Sequence, residues 1–356
     1  MISYNDIAIK EYEKNWRQNL PFEKFNNKNI LITGANGLIA SEIIDTLMYF
    51  SEKKNLRINI YALCRNSVKA KKRFKEYLES KIFHLVIQDV CENIKIDKKT
   101  HYIIHAASNA HPVAYSNSPT ETLKTNTIGT INLLEYAKDT GTERFLYISS
   151  SEVYGECESY KNGYPETIFG GVDTLNPRSC YPESKRLAET ACASYLAEYK
   201  LNTLIVRPGH VYGANITEDN SRADAQFLRN VLENQDIIMK SEGEQIRSYC
   251  YVADAVSSIL AVLLCGVPGE AYNIANPNVV ASIRQFAETM AFTGNVKLCF
   301  EIPQIEERKG YTTMKNSFLN AEKVMKLGWR PNYDLTQGIK QTYLIAKINK
   351  KNEMEQ

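Results

Sequence analysis

The sequence predicts an α/β fold, a doubly wound and mostly parallel sheet with a smaller C-terminal lobe, on three observations. An apolar strand at 28–33 runs directly into Gly34-Ala35-Asn36-Gly37-Leu38-Ile39-Ala40 and then an apolar helix. Further apolar runs at 57–63, 84–87, 102–104, 144–148 and 203–207 alternate with helical segments, an order that demands a parallel sheet covered on both faces. Tyr181-Pro182-Glu183-Ser184-Lys185 opens a run of good helix formers, with Pro182 suited to a first helical turn. Ligand is then expected at the carboxyl ends of the strands.

Composition narrows the class. The chain of 356 residues is long enough for one large α/β domain or two smaller units. A formal net charge of +2 gives no reason to expect nucleic acid or an acidic membrane surface as partner, and the basic run Lys69 to Lys75 reads as a solvated helix face. No apolar run approaches the roughly 18 residues of a membrane span. The N-terminus lacks a signal-peptide pattern, so a cytoplasmic protein is expected. The eight cysteines are scattered, without a C-x-x-C pair, and the five histidines show no zinc spacing. Reduced, packed thiols and no metal site are expected, with His105 structural.

Taken in order, residues 1–27 read as an N-terminal helical extension that packs on the main body or on a partner subunit, and 28–207 as a dinucleotide-binding unit. In the glycine turn, Gly34 makes the tight bend and Gly37 lets backbone approach a pyrophosphate, while Ala40 allows close helix packing. The helix N-terminus then offers free N–H groups to the phosphates, which makes this a Rossmann-type strand, turn and helix. At the end of the second strand, where an acid would bind the ribose 2′-hydroxyl of NAD, the chain has Cys64-Arg65-Asn66. Arg65 therefore keeps NADP open beside NAD. Asp89, with Val90, ends the third strand within reach of an adenine amino group. Ala106, Ala107 and Ser108 follow the fourth strand and let a dinucleotide lie against the backbone.

The fifth strand ends in Ser149-Ser150-Ser151-Glu152, which sets hydroxyls and one carboxylate at the mouth of the crevice. Tyr181 and Lys185, four residues apart, project from one helix face. A neighbouring ammonium favours the phenolate, so the pair reads as a general base for a sugar or alcohol hydroxyl. Residues 208–356 read mainly as a substrate-binding lobe with elements returning to the sheet.

Together, Gly34-x-x-Gly37-x-x-Ala40, Ser150 and Tyr181-x-x-x-Lys185 resemble the extended short-chain dehydrogenase/reductase superfamily over roughly residues 28–345. Within it, the UDP-glucuronate decarboxylase branch is the most similar, through 122–130, 151–155, Pro177-Arg178-Ser179-Cys180-Tyr181 with Lys185-Arg186, and 246–252. The resemblance implies a nicotinamide cofactor, held also by Asn36, Leu38, Ile39, Asn126 and Pro208, and a nucleotide-sugar substrate. It makes Ser150 a ligand of the C4 oxygen, Tyr181 the base, and Lys185 the group that lowers the Tyr181 pKa and holds the nicotinamide ribose. Glu152 would act near C5, with Arg247 on the sugar carboxylate or diphosphate. Tyr115, Ser151, Arg178, His210 and Arg222 would complete the substrate site.

The implied reaction begins with oxidation at C4 and ends in decarboxylation of UDP-glucuronate. A 4-epimerase and a 4,6-dehydratase share that first step, and a non-catalytic dinucleotide-binding protein shares the fold. Homodimerisation through the helices that include 120–138 and 181–199 is also implied. Four departures stand out: His210 in place of an asparagine, Ser184 in place of a glycine, Arg65 in place of an acid, and the loop 109–113.

Overall fold

The strands form where β-branched and aromatic residues fill two cores at once. In a computed structural model, which describes residues 5–158, 160–217, 220–302 and 316–354, strand β1 (Lys28–Thr33) turns Ile30 and Ile32 into one core and Leu31 into another. Successive side chains point to opposite faces, so this split puts covering helices on both sides of the sheet. Before β1 lies helix α1 (Asp6–Trp16), capped by the Asn5 side chain. After it come α2 (Leu38–Lys53), β2 (Ile58–Cys64), α3 (Ser67–Arg73), β3 (Phe83–Ile87), β4 (Tyr102–His105), α4 (Pro112–Asn117), α5 (Pro119–Asp139), β5 (Arg144–Ile148), α6 (Cys180–Tyr199) and β6 (Thr203–Pro208).

The C-terminal part adds β7 (His210–Tyr212), α7 (Ala223–Leu232), β8 (Ile237–Met239), β9 (Ile246–Tyr251), α8 (Val252–Cys265), β10 (Ala271–Ile274), β11 (Val280–Ser282), α9 (Ile283–Gly294), β12 (Leu298–Phe300), β13 (Asn316–Ser317), α10 (Glu322–Met325) and α11 (Leu335–Met354). The main sheet is seven-stranded and parallel, in the order β3-β2-β1-β4-β5-β6-β10. Strand order reverses between β1 and β4, and the crevice at their carboxyl ends is the ligand position of such a sheet. Strand β10 reaches the sheet edge from beyond residue 208. A second sheet centres on β9, which pairs with β7, β11 and β13, and β8 pairs with β12.

Helices α5 and α6 cover one face through Leu133, Leu134, Ala137, Ala188 and Cys192. Gly129 is required in α5, because a Cβ there would lie 2.7 Å from Val90 Cγ2. The other face is covered by α2 and α8, and α1 packs on both of those helices. Tyr12 meets the Tyr49 ring at 5.2 Å, and Trp16 sits between Phe22 and Phe50.

Helix α1 also brings a carboxylic acid into the core. Glu11 is 2% exposed and accepts the Tyr251 hydroxyl at 2.7 Å. Burial pushes its pKa up to about 8, against the pull of Tyr251 and Lys14, and nearby Asp254 adds to the rise. Asp254 is itself pushed up to about 7 by burial, although it accepts the backbone N–H groups of Asn332 and Tyr333. Glu42, Tyr333, Tyr212 and Cys250 also face them, and Tyr12 lies nearby on α1. A folded-state pKa above the unfolded one means the native state holds more protons. That stability is full below about pH 4 and is lost as pH rises through about 7 to 8. The thermal midpoint is therefore expected to fall by several degrees from about pH 5 to about pH 8, and Glu11→Gln to flatten the fall. A wild-type midpoint that rises over that range would contradict this.

Candidate active site

Gly34 adopts φ +61°, and the Gly37 N–H donates to its carbonyl at 2.9 Å, closing the tight turn. A Cβ at Gly34 would lie 2.7 Å from Ala107 Cα and 2.8 Å from Ala107 N. The turn thus passes directly over the backbone that follows β4. Thr33 ties the two strand ends together: its hydroxyl bonds His105 Nδ1 at 2.7 Å and accepts the Ala107 N–H at 3.2 Å. His105 is completely buried and reaches Thr130 through Nε2 at 3.0 Å, and burial holds it neutral with a pKa of about 3. It is a structural strut between β1, β4 and α5.

The residues present fit a dinucleotide. Gly37 is the N-cap of α2 and makes no side-chain cap, so the first N–H groups of that helix, those of Leu38 and Ile39 among them, open at the turn with Asn36 beside them. Only the Gly34 carbonyl, at 3.2 Å, would meet a Cβ at Gly37, and the Ser108 hydroxyl is buried without a hydrogen-bond partner among the described residues. Just beyond the ends of β2 and β3, Arg65 pairs with Glu121 and lies 3.8 Å from Asp89, which accepts the Cys91 N–H at 2.8 Å. Pro208 ends β6 in register with Ile274, and Val90 packs against α5.

The second half of the site is built by the turn after β5 and the start of α6. Ser150 caps the turn Ser151–Tyr154, and its Oγ accepts the Glu152 N–H at 3.2 Å. Ser151 is buried. Tyr181 and Lys185 are 7% and 2% exposed, with the Lys185 nitrogen 5.8 Å from the Tyr181 ring centre. Lys185 Nζ donates to the Ile148 carbonyl at 2.7 Å, which fixes it against the end of β5. The Tyr181 ring stacks on Tyr115 from α4, centres 5.2 Å apart. The Asn126 amide donates to Ser184 Oγ at 2.9 Å, and Ser184 donates to the Tyr181 carbonyl at 3.0 Å, so Ser184 ties α5 to the first turn of α6.

Burial pushes the Tyr181 phenol up to about 12, Glu152 adds to the rise, and Ser150, Arg222 and Arg178 oppose it. Burial also pushes Lys185 down to about 7, against the pull of Glu189. Desolvation of two adjacent buried groups favours the neutral form of each.

Glu152 accepts a two-pronged hydrogen bond from Arg178, at 3.0 and 3.2 Å. Arg247, on β9, is 2% exposed, and its charge is felt by His210, whose pKa is pushed down to about 3 by burial and then by Arg247 and Arg222. His210 is therefore neutral, with Nδ1 unpartnered among the described residues, and packs edge-on to Tyr249. Arg222 precedes α7 and donates to the Val211 carbonyl at 3.3 Å.

Sequence reasoning missed the largely buried pair behind Lys185. Glu189 accepts two hydrogen bonds from Arg207, at 3.0 and 2.7 Å, and one from Ser149 at 2.5 Å. Its position one helical turn after Lys185 was the available signal. Among the described residues, no group of three or more His, Cys, Asp or Glu could hold a metal ion, and no helix is long and apolar enough to cross a membrane. All eight cysteines are free thiols.

A glycine turn at the strand-order reversal, with a buried tyrosine and lysine across the same crevice, defines a dinucleotide-binding α/β enzyme. The chain belongs to the NAD dependent epimerase/dehydratase family, which matches residues 30–275. It is 30% identical over 341 residues to UDP-glucuronic acid decarboxylase 1 of Xenopus tropicalis, covering 94% of this chain and 76% of that protein. To UDP-glucuronic acid decarboxylase 3 of Arabidopsis thaliana it is 32% identical over 313 residues, covering 88% of this chain and 87% of the other. Its fold is similar to that of a UDP-glucuronic acid 4-epimerase from Bacillus cereus, crystallised with UDP-glucuronic acid and NAD, with a TM-score of 0.76 at 20% identity over 90% of this chain and 99% of that one.

Proposed function

We propose that this enzyme uses bound NAD to oxidise a nucleotide sugar transiently at C4, and that its substrate is UDP-glucuronate, which it decarboxylates. The observation that carries the reading is the convergence of Ser150, Tyr181, Lys185 and the Glu152–Arg178 pair on one crevice. Residues 28–207 serve as the dinucleotide unit and 208–356 mainly as the substrate lobe. In the first step Tyr181 takes the proton of the C4 hydroxyl, which Ser150 holds through the oxygen. A bound nicotinamide would supply the acceptor for the C4 hydride and the donor for its return. With C4 a ketone, the C5 carboxylate is that of a β-keto acid. Carbon dioxide leaves without the electron pair of its bond, the pair becomes the C4–C5 enolate, C5 takes a proton, and Tyr181 returns its proton to the C4 oxygen. Arg247, Arg222 and neutral His210 bind the diphosphate and the sugar from the second lobe.

Arg65 supports NAD over NADP. Its guanidinium is already paired with Glu121 beside Asp89, and two carboxylates at the ribose end disfavour a 2′-phosphate. Homodimerisation is supported by the exposed apolar residues Leu123, Ile128 and Ile131 on α5 and Leu187 on α6. A 4-epimerase acting on the same sugar is the second reading, favoured by the fold shared with the Bacillus cereus enzyme. A 4,6-dehydratase is disfavoured by Ser151, which stands where that reaction uses an aspartate and offers no carboxyl group.

Proton NMR of the enzyme with UDP-glucuronate in deuterated buffer, with NAD or NADP in separate tubes, tests the reading. A UDP-pentose carrying deuterium at C5, formed with NAD, is the expected product. A UDP-hexuronate inverted at C4 would establish the epimerase instead, and conversion of neutral nucleotide hexoses alone would reject both.

A further inference from the structure

We propose that Arg178 is a positioning residue whose guanidinium fixes the Glu152 side chain and offsets its charge at Tyr181, so that the pair sets the pH at which the phenol releases its proton. This rests on the reading of Tyr181 as the base and goes beyond a contact between Arg178 and substrate.

The geometry is built into the local sequence. Pro177 opens the short turn Pro177–Ser179, the Asn176 side chain accepts the Arg178 N–H at 3.0 Å, and Ser179 Oγ donates to the Asp173 carbonyl at 2.5 Å. The backbone of Glu152 is fixed in the same way by Ser150. Both ends of the fork are therefore held before any ligand binds, and a two-pronged guanidinium–carboxylate contact is the strong form of that interaction. Its side chains are 28% and 26% exposed, which removes much of the screening that weakens surface pairs. The guanidinium also lies 5.2 Å from the centre of the Tyr115 ring, the ring stacked on Tyr181.

The charges around the phenol make this pair decisive. Glu152 and Tyr147 face Tyr181 from the β5 side, Tyr115 from α4, Arg178 from the turn before α6, Lys185 from α6 and Arg222 from the start of α7. Glu152 is the one carboxyl group in that set, and it disfavours the phenolate; Arg178 is the cation bonded to it. Removing either partner leaves the other uncompensated beside the base, with opposite consequences.

The test is the titration of Tyr181 in the NAD-bound enzyme, followed by carbon-13 NMR of ring-labelled tyrosine, with the signal assigned by its loss in Tyr181→Phe. Arg178→Gln is expected to move the titration up by about one pH unit or more, Glu152→Gln to move it down, and the double variant to return close to wild type. Arg178→Lys, which keeps the charge without the fork, is expected to move it up by less, and it carries the upward arm if Arg178→Gln does not fold. Shifts of the same sign in both single variants, or no shift in either, would overturn the proposal. Because the readout needs no sugar, failure of the wild type to convert UDP-glucuronate would count against the proposed reaction alone.

Discussion

Replacing Tyr181 by phenylalanine is expected to lower turnover by about a hundred- to ten-thousandfold while leaving NAD binding and folding near wild type. The ring is 7% exposed and stacked on Tyr115, and phenylalanine keeps both the volume and the stack. What is lost is the oxygen proposed to take and return the C4 proton. Since burial and Glu152 push the phenol up to about 12, only a small fraction is ionised at neutral pH, and the wild-type rate is expected to rise with pH through the neutral range. Steady-state kinetics beside calorimetric NAD titration separates the two effects. A Tyr181→Phe enzyme that keeps its rate within a few-fold would remove Tyr181 from the chemistry.

Gly34→Val is expected to abolish NAD binding and to destabilise the fold by several kcal/mol. Two costs coincide there. At φ +61° a side chain is strained by roughly 1–2 kcal/mol, and the added Cβ would press on Ala107 Cα and N, backbone atoms that cannot move aside without parting β1 from β4. Gly141 separates the two terms, because at φ +65° a Cβ added there would meet no atom within 4 Å. Gly141→Ala should show the strain alone, with NAD affinity unchanged. Calorimetry and thermal unfolding of both variants read the difference, and a Gly34→Val enzyme that binds NAD like wild type would refute the assignment of the turn.

The parallel sheet was legible because it is buried on both faces. A strand with a core on either side must be apolar nearly throughout, so 28–33, 102–104, 144–148 and 203–207 stand out as short apolar runs. The glycine turn was legible for a stereochemical reason, since a positive φ over a neighbouring backbone leaves few residue choices at Gly34. The pairing of Tyr181 with Lys185 followed from helical spacing. Asn126 was placed on the right helix, but its bond to Ser184 joins positions 58 residues apart, and no local pattern encodes it.

Fold class, the succession of strands and helices along the chain, and the position of the candidate base could all be read from the residues, because each depends on periodicity or on the conformational range of single residues. Charge states and partners came from the packing of distant segments. Burial raises the Tyr181 pKa and lowers that of Lys185, Arg178 closes on Glu152, Arg65 turns to Glu121, and Glu189 meets Arg207 behind the lysine. Those outcomes depend on how much water each group loses and on which opposite charge arrives from another part of the chain, and both are properties of the packed molecule.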